Sequence, residues 1–134
     1  MAAAVADYRP AEVASHKIKK GAERITLELV RTPDILTEVA RQKTRQIVVG
    51  FAVETDSDRA EERARERVSK KSLDLLALNV IGEPGAGFAV DTNRVTLFSR
   101  DDRMESLPLM DKRDVARRIW ERVAQLITER GGNA

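Results

Sequence analysis

A chain of 134 residues with no cysteine and a single histidine, His16, has no disulfide, thiol nucleophile, thiolate metal site or histidine-rich metal centre open to it. Its 24 lysines and arginines nearly balance 22 aspartates and glutamates, for a net charge of +2, and the signs are interleaved along the sequence, which argues against a nucleic-acid partner. No apolar run approaches the ~20 residues that span a bilayer, and Met1-Ala2-Ala3-Ala4 lacks the regions of a signal peptide, so one cytoplasmic domain with a real core and no membrane partner is expected.

Residues 2–6, AAAVA, read as the end of a strand, which Asp7-Tyr8-Arg9-Pro10 breaks because proline pushes the residue before it out of the helical region. A polar loop leads to Lys17-Ile18-Lys19-Lys20, just ahead of Gly21. A solvated strand edge, where lysines oppose aggregation, is the favoured reading of that run; a grip on polyphosphate is the alternative. Ile25-Thr26-Leu27-Glu28-Leu29-Val30 alternates as a half-exposed strand, expected over 24–31. Thr32-Pro33-Asp34 then predicts a helix start, with Thr32 as N-cap, Ile35, Leu36 and Val39 on one face, and an end near Lys43.

The stretch Gln46 to Thr55, QIVVGFAVET, organises the rest. Ile47-Val48-Val49 is an uninterrupted β-branched run, the pattern of a strand covered on both faces, and predicts a central parallel strand over 47–52. Thr55 to Asp58 marks the next helix start, and ligands of open α/β sheets bind beyond such strand exits. That helix, about 57–71, places Ala60, Ala64 and Val68 on its buried side and pairs Glu61 with Arg65 and Glu66 with Lys70 on its surface. Arg67 and Lys71 share one side near its end; solvent face is the favoured reading, convergence on a phosphate the alternative.

Leu73 to Ile81 is a second apolar run, a parallel strand over 73–79 completing a βαβ unit. The glycine-rich loop Gly82 to Phe88 fits neither a P-loop nor a dinucleotide fingerprint. Antiparallel strands are expected at 93–99 and 104–109, joined by a turn at Arg100-Asp101-Asp102-Arg103. Asp111 is expected to cap the last helix, whose stripe Val115, Ile119, Trp120, Val123, Leu126 and Ile127 makes Trp120 a core anchor.

Taken in order, AAAVADYRP, KIKK, TPDIL, VGFAVET, KKSLDLLALN, PGAGF with DTNRVTL, and LPLMDKRDVA resemble the phosphopantothenoylcysteine synthetase domain, the carboxy-terminal part of the bacterial bifunctional coenzyme A biosynthesis flavoprotein. The resemblance runs from Ala2 to about Ile127. It implies an α/β Rossmann-like sheet with helices on both faces and added antiparallel strands. It also implies a ligase that activates 4′-phosphopantothenate with CTP and Mg²⁺ and joins the acyl-cytidylate to cysteine. A homodimer is implied as well, with strands 25–30 and 93–109 as its expected interface. A flavoprotein decarboxylase region fused on the amino side is part of the same implication, with no flavin in this part of the chain.

Carried over residue by residue, the resemblance assigns Ala2, Ala3 and Asp7 to the nucleotide and makes Lys17 the lysine that contacts the triphosphate and supports cytidylate formation. Pro33, Asp34 and Ile35 match the helix start at the nucleotide, Phe51 the aromatic of V-G-F-A, and Lys71 the lysine before the L-D-L strand. Arg67 stands where the family often has lysine, and Asn79 matches a substrate-side asparagine. Val80 replaces the family's aspartate, and Ala89-Val90 replace a small polar pair. The family's Gly-Gly-Thr turn and Asn-x-Ser-Ser-Gly segment are not in the sequence. The chain therefore reads as a domain whose N-terminal part is missing, binding CTP with little or no turnover; a non-catalytic nucleotide-binding or dimerisation module is the alternative.

Overall fold

The computed structural model describes residues 5–21, 23–82, 85–86 and 90–131. The chain divides into two compact units, Ala3–Ile35 and one carried by Leu36–Ala134, each described by itself below. No helix of the described residues is long and apolar enough to cross a membrane.

In the first unit, β1 (Tyr8–Pro10) pairs antiparallel with β2 (Leu29–Arg31), Arg9 opposite Val30. The sequence pattern placed a break at Pro10 and a longer strand over 24–31. Proline is tolerated in β1 because an edge strand has backbone nitrogens that need not donate, and the ladder continues one step as Ala11 N–H donates to the Glu28 carbonyl at 2.9 Å. The apolar alternation before Leu29 is real but uncovered: Ile25 and Leu27 are each 61% exposed.

The second unit is a mixed four-stranded sheet in the order β3-β4-β6-β7, with helices on both faces. Strand β3 (Val49–Glu54) runs parallel to β4 (Leu75–Val80), Val49 opposite Leu75 and Glu54 opposite Val80, joined by α2 (Ser57–Lys70). Strand β4 then pairs antiparallel with β6 (Val95–Ser99), and β6 with β7 (Met104–Ser106). The turn between those last two is the expected one: Asp102, at φ 60°, donates its N–H to the Ser99 carbonyl at 3.1 Å. A separate pair joins β5 (Thr92–Asn93) to β8 (Met110–Asp111).

Strand alternation decides which helix each residue meets. Ala52, Leu76, Leu78 and Phe98 face α2, whose Ala60, Ala64 and Val68 are buried against them as their spacing predicted, together with Leu36 and Ala40 of α1 (Ile35–Gln42). Leu75, Ala77, Val95 and Leu97 face α3 (Lys112–Gly131), whose Val115, Val123 and Leu126 cover them. Asp111 caps α3 as expected, its Oδ1 accepting from Arg113 N–H at 2.7 Å.

Several expectations give way. The run Ile47 to Val49 does lie between two layers, Val48 toward α2 and Ile47 and Val49 toward α3. Its strand is nonetheless the edge of the four-stranded sheet, with β4 as its one neighbour among the described residues, not a central strand. The cap of α2 is Asp56, whose side chain accepts from Asp58 N–H at 3.2 Å, one residue beyond Thr55. Thr32 does not cap α1: its hydroxyl donates to the Ala6 carbonyl at 2.5 Å and the helix begins at Ile35. The buried side of α1 is Leu36 and Ala40, while Ile35 and Val39 are exposed. Trp120 is 71% exposed, because α3 turns Val123 and Leu126 inward and leaves Trp120 and Ile127 on its outer side.

Candidate functional site

Ligands of open α/β sheets bind beyond the carboxyl ends of the strands, here the ends of β3 and β4. The two sheet faces present different chemistry there. On the α3 face stand Phe51 and Val53, about half exposed, and Asn79, opposite Val53 in register. The Asn79 Oδ1 is buried with no hydrogen-bond partner, an arrangement that costs free energy unless something supplies a donor. On the α2 face Glu54 ends the strand, in phase with Ala52. Its carboxylate takes Arg63 on Oε2 at 3.0 Å and Arg67 on Oε1 at 2.6 Å.

The second unit thus brings Phe51 and Asn79 together on one face and sets Arg67 at the same end on the other. The backbone of Lys71 lies toward the other end of β4, away from Asn79. Lys71 follows α2, its N–H capping on the Arg67 carbonyl, at the amino end of β4. Six strand residues at roughly 3.3 Å each put Asn79 at the far end of that strand. Spacing alone gave Arg67 a solvent or phosphate role and did not reveal Glu54 as its partner. Likewise Arg65, expected beside Glu61, instead lies over the Phe98 ring at 5.4 Å and donates to the Asp102 carbonyl. Glu66 and Lys70 do pair, at 2.7 Å.

In the first unit, Asp7 and the Pro33-Asp34-Ile35 start of α1 are neighbours, because the Asp7 carbonyl accepts the Thr32 N–H at 2.9 Å. Lys17 lies on the exposed loop between β1 and β2, next to an open depression of about 530 Å³ lined by Ile18, Lys19, Lys20, Gly21, Glu23 and Ile25. Ala2, Ala3 and Ala89 lie outside the described residues.

Two buried polar clusters at the other end of the sheet were not legible as such. Asp74 accepts from Lys43 at 2.9 Å, from Val48 N–H at 2.8 Å and from Arg130. Arg122, on the buried side of α3, donates to Ser99 Oγ and Gln125 Oε1 at 3.1 Å each and pairs with Asp101 and Glu129. The signal for both was a charge interrupting an apolar pattern: Asp74 inside Leu73 to Leu76, and Arg122 beside Val123.

Residues 1–127 match the model of the DNA/pantothenate metabolism flavoprotein C-terminal domain. The chain is 46% identical over 129 residues to the coenzyme A biosynthesis bifunctional protein CoaBC of Bacillus subtilis (strain 168), covering 96% of this chain and 31% of that protein. It is 36% identical over 128 residues to a cysteine/cysteine sulfinic acid decarboxylase of an unknown prokaryotic organism, covering 95% of this chain and 35% of that one. Among solved structures, the C-terminal domain of CoaBC superposes with a TM-score of 0.71 at 33% identity, over 95% of this chain and 53% of that chain. The chain spans about a third of the length of these curated relatives. The α/β architecture agrees with that solved domain, and the chain belongs to the DNA/pantothenate metabolism flavoprotein C-terminal domain family.

Proposed function

We propose that this chain supplies nucleotide-binding residues for the ligation step of coenzyme A biosynthesis, in which CTP activates the carboxylate of 4′-phosphopantothenate and cysteine takes the acyl group from the cytidylate. The observation that carries the reading is the family match over residues 1–127. Local chemistry supports it. Lys17 and the backbone donors at the start of α1 suit phosphate oxygens, Arg67 offers a planar fork, and Phe51 offers an exposed ring face. The uncompensated Asn79 Oδ1 asks for a donor, which a substrate amide or hydroxyl supplies.

In this reading Mg²⁺ accompanies the nucleotide, held by its triphosphate oxygens. Titration calorimetry with CTP and Mg²⁺ tests it: binding to the 134-residue chain that is largely lost in Lys17→Gln supports the reading, and equal affinity in that variant removes Lys17 from the site. Cysteine-dependent release of pyrophosphate is expected at background for these 134 residues, since ligation also needs the phosphopantothenate carboxylate held in line with the α-phosphate.

A second reading, a homodimerisation module, is favoured by the uncovered row Ile25, Leu27 and Leu29 and by exposed Met104 on the edge strand β7. Sedimentation equilibrium from micromolar to near-millimolar concentration decides it; a monomer throughout removes the dimer.

A further inference from the structure

At the exit of β3 one buried carboxylate serves two arginines. The Glu54 side chain is 8% exposed, with Arg63 at 3.0 Å on one oxygen and Arg67 at 2.6 Å on the other. The Arg67 ion pair accounts for the oxygen that otherwise has no hydrogen-bond partner. The backbone of Glu54 is fixed too, its carbonyl accepting from Ile81 N–H at 2.8 Å where β4 ends. Neutralising a buried carboxylate takes one guanidinium; the second leaves an excess positive charge at the end of the sheet where ligands of such folds bind. Asp56 offsets it weakly, being 3.9 Å from Arg63 and itself well exposed.

Geometry favours an anion over mere surplus. A guanidinium carries five N–H donors, and the ion pairs to Glu54 and Asp56 engage one nitrogen of Arg67 and two of Arg63. Both side chains are 41% exposed, so donors remain turned to solvent. Because the two bind neighbouring oxygens of one carboxylate, they are presented side by side with reduced rotamer freedom, which lowers the entropic cost of gripping a multivalent anion.

We propose that Glu54 is a positioning residue that holds Arg63 beside Arg67, and that Arg63 is a second guanidinium contacting the triphosphate of a nucleoside triphosphate. This rests on the nucleotide reading above. Lysine at either position would give a point charge without a fork to share between carboxylate and phosphate.

The test is titration calorimetry of CTP with Mg²⁺, and of inorganic triphosphate, against the 134-residue chain and its variants, with thermal melting to monitor the fold. Arg63→Ala is expected to weaken both ligands about tenfold or more, the scale of one charge-assisted contact. Glu54→Gln is expected to weaken them in the parent but to change nothing further in an Arg63→Ala/Arg67→Ala background, because it acts through those side chains. A loss of the same size in both backgrounds makes Glu54 merely structural, and tighter binding in Glu54→Gln makes it a competitor; either overturns its positioning role. Arg63→Ala lies outside the core, so unchanged affinity in that variant alone is decisive against the second guanidinium. If Lys17→Gln weakens CTP binding while Arg63→Ala and Glu54→Gln do not, this assignment falls and the nucleotide reading stands; if CTP does not bind the chain, both fall.

Discussion

The ammonium of Lys43, just beyond α1, lies 2.9 Å from both carboxylate oxygens of Asp74, a residue 1% exposed at the start of β4. Arg130 near the end of α3 and the Val48 N–H converge on the same carboxylate, so one side chain ties two helices to two parallel strands. Removing one partner of a buried pair strands the other. Asp74→Ala is therefore expected to cost about 3–5 kcal/mol in urea denaturation. Lys43→Met is expected to cost less, because Arg130 still neutralises the carboxylate. Equal losses in the two variants would contradict this ranking.

A methyl group at Gly50 would meet Leu73 Cδ1 at 2.9 Å, Leu76 Cδ1 at 3.1 Å and Leu36 Cδ2 at 3.3 Å. Leu73 and Leu76 are fully buried and have little room to move. Gly50→Ala should destabilise the chain by about 1–3 kcal/mol through overpacking, although alanine suits a strand better than glycine does. A stabilised variant in the same denaturation experiment would show that the leucines yield.

Trp120 is the single tryptophan, and its exposure makes it a direct optical check. Its emission in the folded chain should already resemble that of a solvated indole and shift little on unfolding. Trp120→Ala should change stability by less than about 0.5 kcal/mol. A blue-shifted emission that moves red on denaturation would place the ring in a covered environment instead.

On the outer face of α2, Lys70 bonded at 2.7 Å holds the Glu66 carboxyl below its ordinary value, first through that hydrogen bond and then through charge attraction. A depressed carboxyl contributes stability above its unfolded-state value and loses it as pH falls through the folded-state value. The pair is exposed, so the visible effect is on titration and not on melting. Carbon-detected NMR should find Glu66 titrating lower than an unpaired glutamate, and Lys70→Ala should return it to the ordinary range. No change in that variant would assign the shift elsewhere.

Much of the fold was legible because packing left periodic marks. Ala60, Ala64 and Val68 at spacings of four announced a helix lying close to a sheet, and Val95 to Ser99 announced a strand. The edge position of β3 was not legible, because β-branched residues record covered faces and say nothing about hydrogen-bonded neighbours. Trp120 misled for a related reason: it sits one residue to the side of a stripe whose centre is Val115, Leu126 and the aliphatic part of buried Arg122. At the candidate site, sequence singled out Arg67 and Phe51 as candidates but passed over Glu54, since a charge ending an apolar strand looks like a strand leaving the core. Helical spacing grouped Lys71 with Arg67 but could not show that the Arg67 side chain reaches the last residue of β3, or that the Lys71 backbone closes α2 on the Arg67 carbonyl.

The contact of Arg130 with the Gln46 carbonyl joins residues 84 positions apart, whereas the β3-α2-β4 crossover closes ladder pairs such as Val49 with Leu75 within a much shorter loop. Loop-closure entropy rises with separation, so an order of assembly is written into the connectivity. The parallel pair with α2 is expected to form the folding nucleus, and α3 to dock late, locking the amino ends of the strands. In stopped-flow kinetics, substitutions at Ala64 or Leu76 should then slow refolding, and Arg130→Ala should mainly speed unfolding. The final turn of the last helix would thus govern how long the chain stays folded more than how fast it gets there.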